Sequence, residues 1–401
     1  MQDFDATAPE TFDSPHVLHR DLRARCPVAH TDALGGFWAL TRHKDIEAVL
    51  ADPGTFVTSV QNVVPKVAFS GRRPPLHLDP PEHTPYRAAL NPLLTADKVA
   101  ALDPVIRTIA RALLQPMVER GHGDICEDYA SHLSVQVFGE WMQLPAAQVD
   151  VLKRAGQAFV MAVRSANPDS MKSTSLALYD MARALIALRK AHPLDPQTDP
   201  TTALLATRVN GEHLSDEMVV GCVRQVLVVG IVAPTVFLGS VAVHLSRHPE
   251  LQQQLRSHPE QIATATEEFL RLYTPYRGFA RTSKRDVTIN GRDIAKDEAI
   301  ALVFASANRD EAIFDNPDDF ILNRPNIKDH MAFGRGAHFC AGTHLARLEL
   351  RIAIEELLKA TTHFAVNGPV LPAPYPEIGT LSVPLELFNH AKAHEHEIHP
   401  P

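Results

Sequence analysis

The stretch that decides the fold is residues 331–342, which read MAFGRGAHFCAG. It places Cys340 in a glycine-rich turn, directly before a segment with helical periodicity. Backbone N–H groups of such a turn and the N-terminal end of the next helix both stabilise a thiolate. Glycine permits the tight turn because it adopts positive φ at little cost. The pattern predicts a thiolate that binds a metal, and a buried, inert cysteine is the ordinary alternative.

The loop carries the spacing F-x-x-G-x-H-x-C-x-G on Phe333, Gly336, His338, Cys340 and Gly342. This spacing resembles the haem-binding loop of cytochromes P450. The resemblance implies that Cys340 binds the iron of haem b (iron protoporphyrin IX), and that N–H groups near the sulfur tune its potential. It also implies the cytochrome P450 fold, which is mainly α-helical with small β-sheets.

A second family motif lies upstream, where Glu268-Phe269-Leu270-Arg271 matches the Glu-x-x-Arg pair of cytochromes P450. An acid and a base three residues apart on a helix mean little by themselves. The resemblance implies that Glu268 and Arg271 join Arg324 in a buried network. Such a network supports the haem from the cysteine side and is structural rather than chemical.

Four basic side chains match positions that hold the haem propionates in the family: His83, Arg87, Arg281 and His338. His83 and Arg87 lie four residues apart, so a helix presents both on one face. The guanidinium fork matches a carboxylate, which makes arginine apt for this role. Solvated surface bases are the alternative interpretation.

A long apolar segment, residues 226–245, contains no Lys, Arg, Asp or Glu. Its length would allow it to cross a bilayer. Because flanking basic asymmetry and aromatic belts are not visible, the segment predicts a buried core helix rather than a membrane span.

The middle of this helix departs from the family pattern Ala/Gly-Gly-x-Asp/Glu-Thr. Gly230 matches, but Val232 and Ala233 stand where the acid and the alcohol are expected. Pro234 cannot donate to the Gly230 carbonyl, which predicts a kink. We hypothesise that Thr235, the kinked backbone at Gly230 and Ala233, and ordered water replace the usual proton-delivering pair. Alternatively, Thr235 only satisfies a helix carbonyl.

The resemblance also indicates where a substrate pocket would lie. Its expected lining is small and apolar, which favours a small hydrophobic substrate, aromatic or aliphatic. Plain core packing is the alternative for each position. The expected lining residues are Val229, Val232, Ala233, Phe279, Thr380 and Leu381.

The implied reaction is that of a monooxygenase, which inserts one atom of O2 into the substrate. The missing acid–alcohol pair leaves open a peroxide-driven peroxygenase on the same haem. A non-catalytic haem protein that binds a ligand is the alternative from another class.

Composition restricts the partners and the compartment. A net charge of −8 disfavours nucleic acid and anionic membranes. Four widely spaced cysteines form neither a disulfide framework nor a zinc pattern, and the N-terminus lacks a signal peptide, which together favour the cytoplasm. Without a nucleotide fingerprint or a ferredoxin cluster, electrons must come from a ferredoxin-type partner or a fused reductase. Candidate contacts for that donor are Lys328, Arg335 and Arg347.

The sequence predicts one haem domain over residues 1–390 and a polar tail or linker stub over 391–401. Strands are expected at 37–41, 287–289 and 300–303, and a hairpin at 377–388. Periodicity predicts helices at 42–52, 81–94, 96–120, 123–142, 146–163, 170–191, 215–246, 259–273 and 341–361.

Overall fold

Helices dominate the computed structural model, which describes residues 2–66, 71–165 and 167–389. The predicted tail at 391–401 lies outside the described residues. The helices are α1 (Glu10–Asp13), α2 (Pro15–Arg25), α3 (His43–Ala51), α4 (Thr84–Leu90), α5 (Ala96–Ala100), α6 (Asp103–Arg120), α7 (Ser131–Trp141), α8 (Ala146–Ser165), α9 (Pro168–Ala191), α10 (Pro200–Ala206), α11 (Asp216–Val229), α12 (Val232–Arg247), α13 (Pro249–Ser257), α14 (Ile262–Leu272), α15 (Phe304–Ala307) and α16 (Thr343–Ala360).

The strands are short and form small sheets. The largest sheet has the order β1-β2-β10-β7-β3, in which only β2 and β10 run parallel, and a smaller one has the order β11-β14-β4. The strands are β1 (Val28–Thr31), β2 (Phe37–Leu40), β3 (Phe56–Val57), β4 (His122–Asp124), β5 (Arg208–Val209), β6 (Glu212–His213), β7 (Phe279–Ser283), β8 (Val287–Ile289), β9 (Arg292–Ile294), β10 (Ala299–Leu302), β11 (His363–Val366), β12 (Leu371–Pro372), β13 (Thr380–Ser382) and β14 (Pro384–Phe388).

The mainly helical class is confirmed, and α3, α8, α9, α14, α16, β2, β8 and β10 lie where periodicity predicted them. Two predicted helices begin late or break, and proline explains both. The helix expected from residue 81 begins at Thr84, with Pro85 in its first turn. The helix expected over 96–120 divides into α5 and α6, because Pro104 cannot donate to the Ala100 carbonyl.

Two further expectations were wrong. Residues 122–124 form a strand rather than the start of a helix, since they pair with β14. After them, the Asp124 side chain accepts hydrogen bonds from two N–H groups and caps a π-helical turn, Ile125–Ala130. The hairpin expected at 377–388 does not form. Only Val383 separates β13 from β14, too short a connection for pairing, so β13 pairs with β12 and β14 with β11.

The core is organised around α11 and α12, which together correspond to the predicted long apolar helix. The segment Asp216–Arg247 is long and apolar enough to cross a membrane, but 83% of its most apolar window is buried inside the fold. It is therefore a core element, as predicted. The helix is interrupted at Gly230 and Ile231, one turn before Pro234, where the missing N–H predicted a kink.

Candidate active site

The cysteine loop owes its shape to two glycines. Gly334 and Gly336 have φ angles of +66° and +70°, which side-chain-bearing residues rarely adopt. A Cβ on Gly336 would lie 2.5 Å from the Leu50 carbonyl oxygen, so this position also needs its small size. Gly342 differs, with a φ of −83° and nothing within 4 Å of a Cβ position. Its side beside the sulfur is open, a space that a flat cofactor could fill.

Opposing effects act on the Cys340 thiol, and together they raise its pKa. Burial raises the pKa of the thiol, whereas a hydrogen bond from the Gly342 N–H and the charges of Arg87 and Arg347 lower it. The backbone N–H of Cys340 donates to the Phe333 carbonyl at 3.0 Å, which fixes the turn. Helix α16 begins just beyond the loop, so its positive end also faces this region.

The predicted propionate donors lie close to the cysteine loop. The ring of His83 lies 5.1 Å from that of His338, and its Nε2 lies 3.2 Å from the Ala337 carbonyl oxygen. His338 Nε2 lies 3.2 Å from Thr58 Oγ1 and 3.9 Å from Asp79 Oδ1. Burial lowers the pKa of His338, and Asp79 opposes that shift.

Arg281 is the most informative of these donors. It is 6% exposed, and its Nη1 donates to the Ala280 carbonyl at 2.9 Å. Burial lowers its pKa to about 10. Among the described residues, neither Arg281 nor Arg87 has a carboxylate within 4.0 Å. Because a buried cation without a counter-charge is costly, this arrangement fits a ligand that brings its own carboxylates, as haem does.

Glu268, Arg271 and Arg324 form a buried ion network beneath the loop. Arg271 donates to both carboxylate oxygens of Glu268 at 2.7 and 2.9 Å, and Arg324 Nε donates to Glu268 Oε1 at 3.0 Å. Arg271 also donates to the Asn308 carbonyl, and the Asn308 side chain accepts from the Met331 N–H at 2.6 Å. The network is thereby linked to the start of the cysteine loop. Sequence reasoning assigned no role to Asn308.

The break between α11 and α12 is held by packing. A Cβ on Gly230 would lie 1.8 Å from a ring carbon of Phe138, so only glycine fits there. The Thr235 hydroxyl donates to the Ile231 carbonyl at 2.8 Å, and the residue is 1% exposed. This contact matches the alternative in which Thr235 satisfies a helix carbonyl. The Gly230 carbonyl, which Pro234 leaves without its usual donor, is not the partner of this hydroxyl.

The expected pocket residues separate into groups. Val232 and Leu381 share a buried cluster with Val236 and Ala373, with Phe159 packed against it. Sequence reasoning missed Phe159 and Ala373, because neither belongs to a motif.

The other expected lining residues are not members of this cluster. Val229 is 49% exposed, and Ala233 is partly buried. Phe279 packs against Phe304 at 6.1 Å, and Thr380 lies against the Gly239 backbone. The structure therefore brings Val232 and Leu381 together in one cluster, and the pocket role of the whole set stays a prediction.

Two of the candidate contacts for an electron donor already have acidic neighbours. Arg335 donates to Glu47 at 2.7 Å. Arg347 donates to Glu267 at 2.6 Å and stacks 4.6 Å from the centre of the Phe333 ring. Lys328 is exposed.

Comparisons with known protein sequences identify the same family as the cysteine loop and the ion network do. The family model of cytochrome P450 matches residues 168–384. Cytochrome P450 109 of Bacillus spizizenii is 30% identical over 86% of this chain and 84% of its own length. The cyclomarin C epoxidase CymV of Salinispora arenicola is 30% identical over 90% of this chain and 93% of its own.

Solved structures give the same result. The cytochrome P450 CYP109Q5 from Chondromyces apiculatus superimposes with a TM-score of 0.86 at 26% identity, covering 96% of this chain and 98% of its own. The Mycobacterium marinum cytochrome P450 CYP268A2, in complex with pseudoionone, gives 0.85 at 26% identity, covering 95% and 96%. The chain therefore belongs to the cytochrome P450 family and is a haem monooxygenase.

Proposed function

We propose that the protein binds haem b through the Cys340 thiolate and inserts one atom of O2 into small hydrophobic molecules. The observation that carries this proposal is the buried Arg281 guanidinium, which lacks a carboxylate partner among the described residues and lies in the family's propionate position. When bound, haem b supplies the redox-active iron, and thiolate ligation favours O–O bond cleavage.

The chain's own part in haem binding follows from its donors. Arg281 and Arg87 pair with the propionates, and His83 and His338 donate to them. The Gly342 N–H and the charges of Arg87 and Arg347 oppose the effect of burial on the Cys340 thiol. Bonding to the iron would supply the positive charge that keeps the sulfur anionic. The cofactor that we propose is haem b and not another type of haem.

A small hydrophobic substrate is supported by the apolar cluster of Val232 and Leu381 with Phe159. An apolar wall with few polar anchors selects by shape. Pseudoionone, the ligand in the Mycobacterium marinum structure, is of this kind. The names of relatives include an epoxidase and a hydroxylase/epoxidase, so oxidation of both C–H and C=C groups is within the proposal.

Proton delivery in this chain must differ from the usual family arrangement, since Val232 and Ala233 carry no proton donor. We propose that the Gly230 carbonyl, which lacks the Pro234 N–H, accepts a hydrogen bond from a water and so holds a proton source in the pocket. The same substitutions favour a second candidate function, a peroxygenase driven by hydrogen peroxide, because peroxide already carries the protons.

Electrons are proposed to come from a ferredoxin-type protein or a fused reductase, with Lys328, Arg335 and Arg347 near the cysteine loop as contacts for an acidic surface. The proposed compartment is the cytoplasm.

The test compares product formation from a panel of small aromatic and aliphatic compounds under two conditions. One contains ferredoxin, its reductase, NADPH and O2, and the other contains only hydrogen peroxide. Product under the first condition supports the monooxygenase, and product only with peroxide supports the peroxygenase. Absence of product under both, from protein loaded with haem, would contradict the proposed activity and favour a ligand-binding haem protein.

A further inference from the structure

A cavity of about 270 Å³ lies between the N-terminal helices, the second half of α12, the end of α14 and the β12–β13 pair. Apolar side chains form much of its wall, among them Phe12, Val243, Leu272 and Ile378. No Asp or Glu of the described part of the chain lines it. Cys340 and the proposed propionate donors are not among its lining residues, although Ala373 and Thr380 border both this cavity and the expected substrate pocket.

Arg277 lines this cavity, and its guanidinium has unsatisfied donors. The residue is 4% exposed, and its Nε and Nη1 atoms are buried without a hydrogen-bond partner among the described residues. The guanidinium instead lies over the rings of Phe12 and Tyr375, at 5.3 and 5.0 Å from their centres. His16 Nδ1 and Thr380 Oγ1, on other walls of the cavity, are also buried without partners.

Arg247 adds a second positive charge to the wall of the cavity. Arg247 and His248 are exposed residues of the cavity wall, so they form its solvent-facing part. Glu377 is close enough to influence Arg277, but no described carboxylate lies within 4.0 Å of the guanidinium. Burial lowers the pKa of Arg277, which reflects the cost of an enclosed and unpaired cation.

We infer that this cavity is a second ligand site, which takes a small organic acid. The carboxylate of the ligand pairs with the Arg277 guanidinium and its apolar body lies against Phe12, Val243 and Ile378. A free inorganic anion satisfies only the charge, and a neutral apolar molecule leaves the buried cation unpaired. An acid with an aromatic or aliphatic body can pair with the guanidinium and also contact the apolar side chains of the cavity.

The experiment is calorimetric titration of benzoate into the haem-loaded protein whose iron is already ligated by an azole. Benzoate is expected to bind saturably, without change in the Soret band, because the iron site is blocked. Benzamide has the ring without the charge and phosphate has the charge without the ring. Each is expected to bind at least about tenfold more weakly, as loss of a charge-assisted pair or of apolar contact predicts.

Three variants make the test specific. Arg277→Met keeps an unbranched apolar stem, removes a costly buried charge and is expected to weaken benzoate binding at least about tenfold. Val243→Phe narrows the cavity with Arg277 in place and is expected to weaken binding similarly. Arg183→Gln, at an exposed arginine paired with Asp180, is the control and leaves binding unchanged. Wild-type affinity in both cavity variants, or loss of all benzoate binding on azole ligation, would overturn the inference.

Discussion

Arg281 is a buried cation in the expected haem site. It is buried, and no described carboxylate pairs with it. We predict that Arg281→Gln loses haem at least about tenfold faster than the wild type, because a charge-assisted hydrogen bond to a propionate is gone. Transfer of haem to apomyoglobin measures the rate. Arg183→Gln, an exposed arginine far from the cysteine in sequence, is the matched control, and equal rates for all three proteins would contradict the assignment.

Thr235 lies in the helix region where the family has its acid and alcohol, but its hydroxyl is engaged by the Ile231 carbonyl. We predict that Thr235→Val costs about 1 kcal/mol of stability, the usual value of one hydrogen bond. The fraction of NADPH electrons that appear in product should stay unchanged. Denaturant unfolding and the ratio of product to NADPH consumed check the two parts. A steep fall in that ratio would restore Thr235 as a proton donor.

The sequence predicted these single positions unevenly. The spacing around Cys340 predicts the iron ligand by its resemblance to the family's haem-binding loop, and this assignment stays a prediction. The contact between Thr235 and Ile231 could not be chosen over one with Gly230, since both carbonyls lie within reach of the same helical turn. Asn308, which joins the ion network to Met331, needed coordinates because its two contacts lie far apart in sequence.

At the scale of helices, Gly230, in the break between α11 and α12, packs against Phe138 of α7. A Cβ at Gly230 would overlap the ring. We predict that Gly230→Ala destabilises the protein by about 1–3 kcal/mol, as overpacking does. Chemical denaturation measures the change. The double variant Gly230→Ala/Phe138→Leu should recover part of the loss, and failure to recover any would mean that the helix break rather than the ring requires glycine.

A second contact between helices joins α14 to α16 beside the cysteine. Burial raises the pKa of Glu267, but hydrogen bonds from His330 and Arg347 outweigh it and lower the pKa from 4.5 to about 2. Because the folded value lies below the unfolded one, this carboxylate stabilises the fold at neutral pH. That contribution is lost as the pH falls from about 4.5 towards 2.

The lowered pKa of Glu267 predicts how the stability of Glu267→Gln depends on pH. The variant should be less stable than the wild type by about 2 kcal/mol at pH 7, and the difference should shrink at pH 3.5. Thermal unfolding of both proteins at the two pH values provides the comparison. A difference that is the same at both values would mean that the carboxylate charge is not what stabilises the contact.

Helix positions followed periodicity well, whereas helix ends and strand partners did not. The breaks before Asp103 and after Val229 both follow from a proline and can be read from local chemistry, whereas the packing of Gly230 against Phe138 cannot. The strand partners of β13 and β14 lie far away in sequence or depend on a one-residue connection, so an isolated stretch could not reveal them.

Across the whole molecule, distant segments converge on one sulfur. Helix α4 brings Arg87, β7 brings Arg281 and the loop before α16 brings Cys340 and His338. The ion network of Glu268, Arg271 and Arg324 supports the cysteine loop through Asn308, which accepts a hydrogen bond from the Met331 N–H. The proximity of these segments could be predicted only from the resemblance to the family, because a local sequence pattern does not indicate which loops lie close together in the fold.

The most direct measurement is the absorption spectrum of the reduced, carbon-monoxide-bound protein, recorded for the wild type and for Cys340→Ser. We predict a strongly red-shifted Soret band in the wild type, as an anionic sulfur ligand produces, and its loss in the variant. If Cys340→Ser kept its pigment with an unchanged carbonyl spectrum, the iron ligand would have to be another residue.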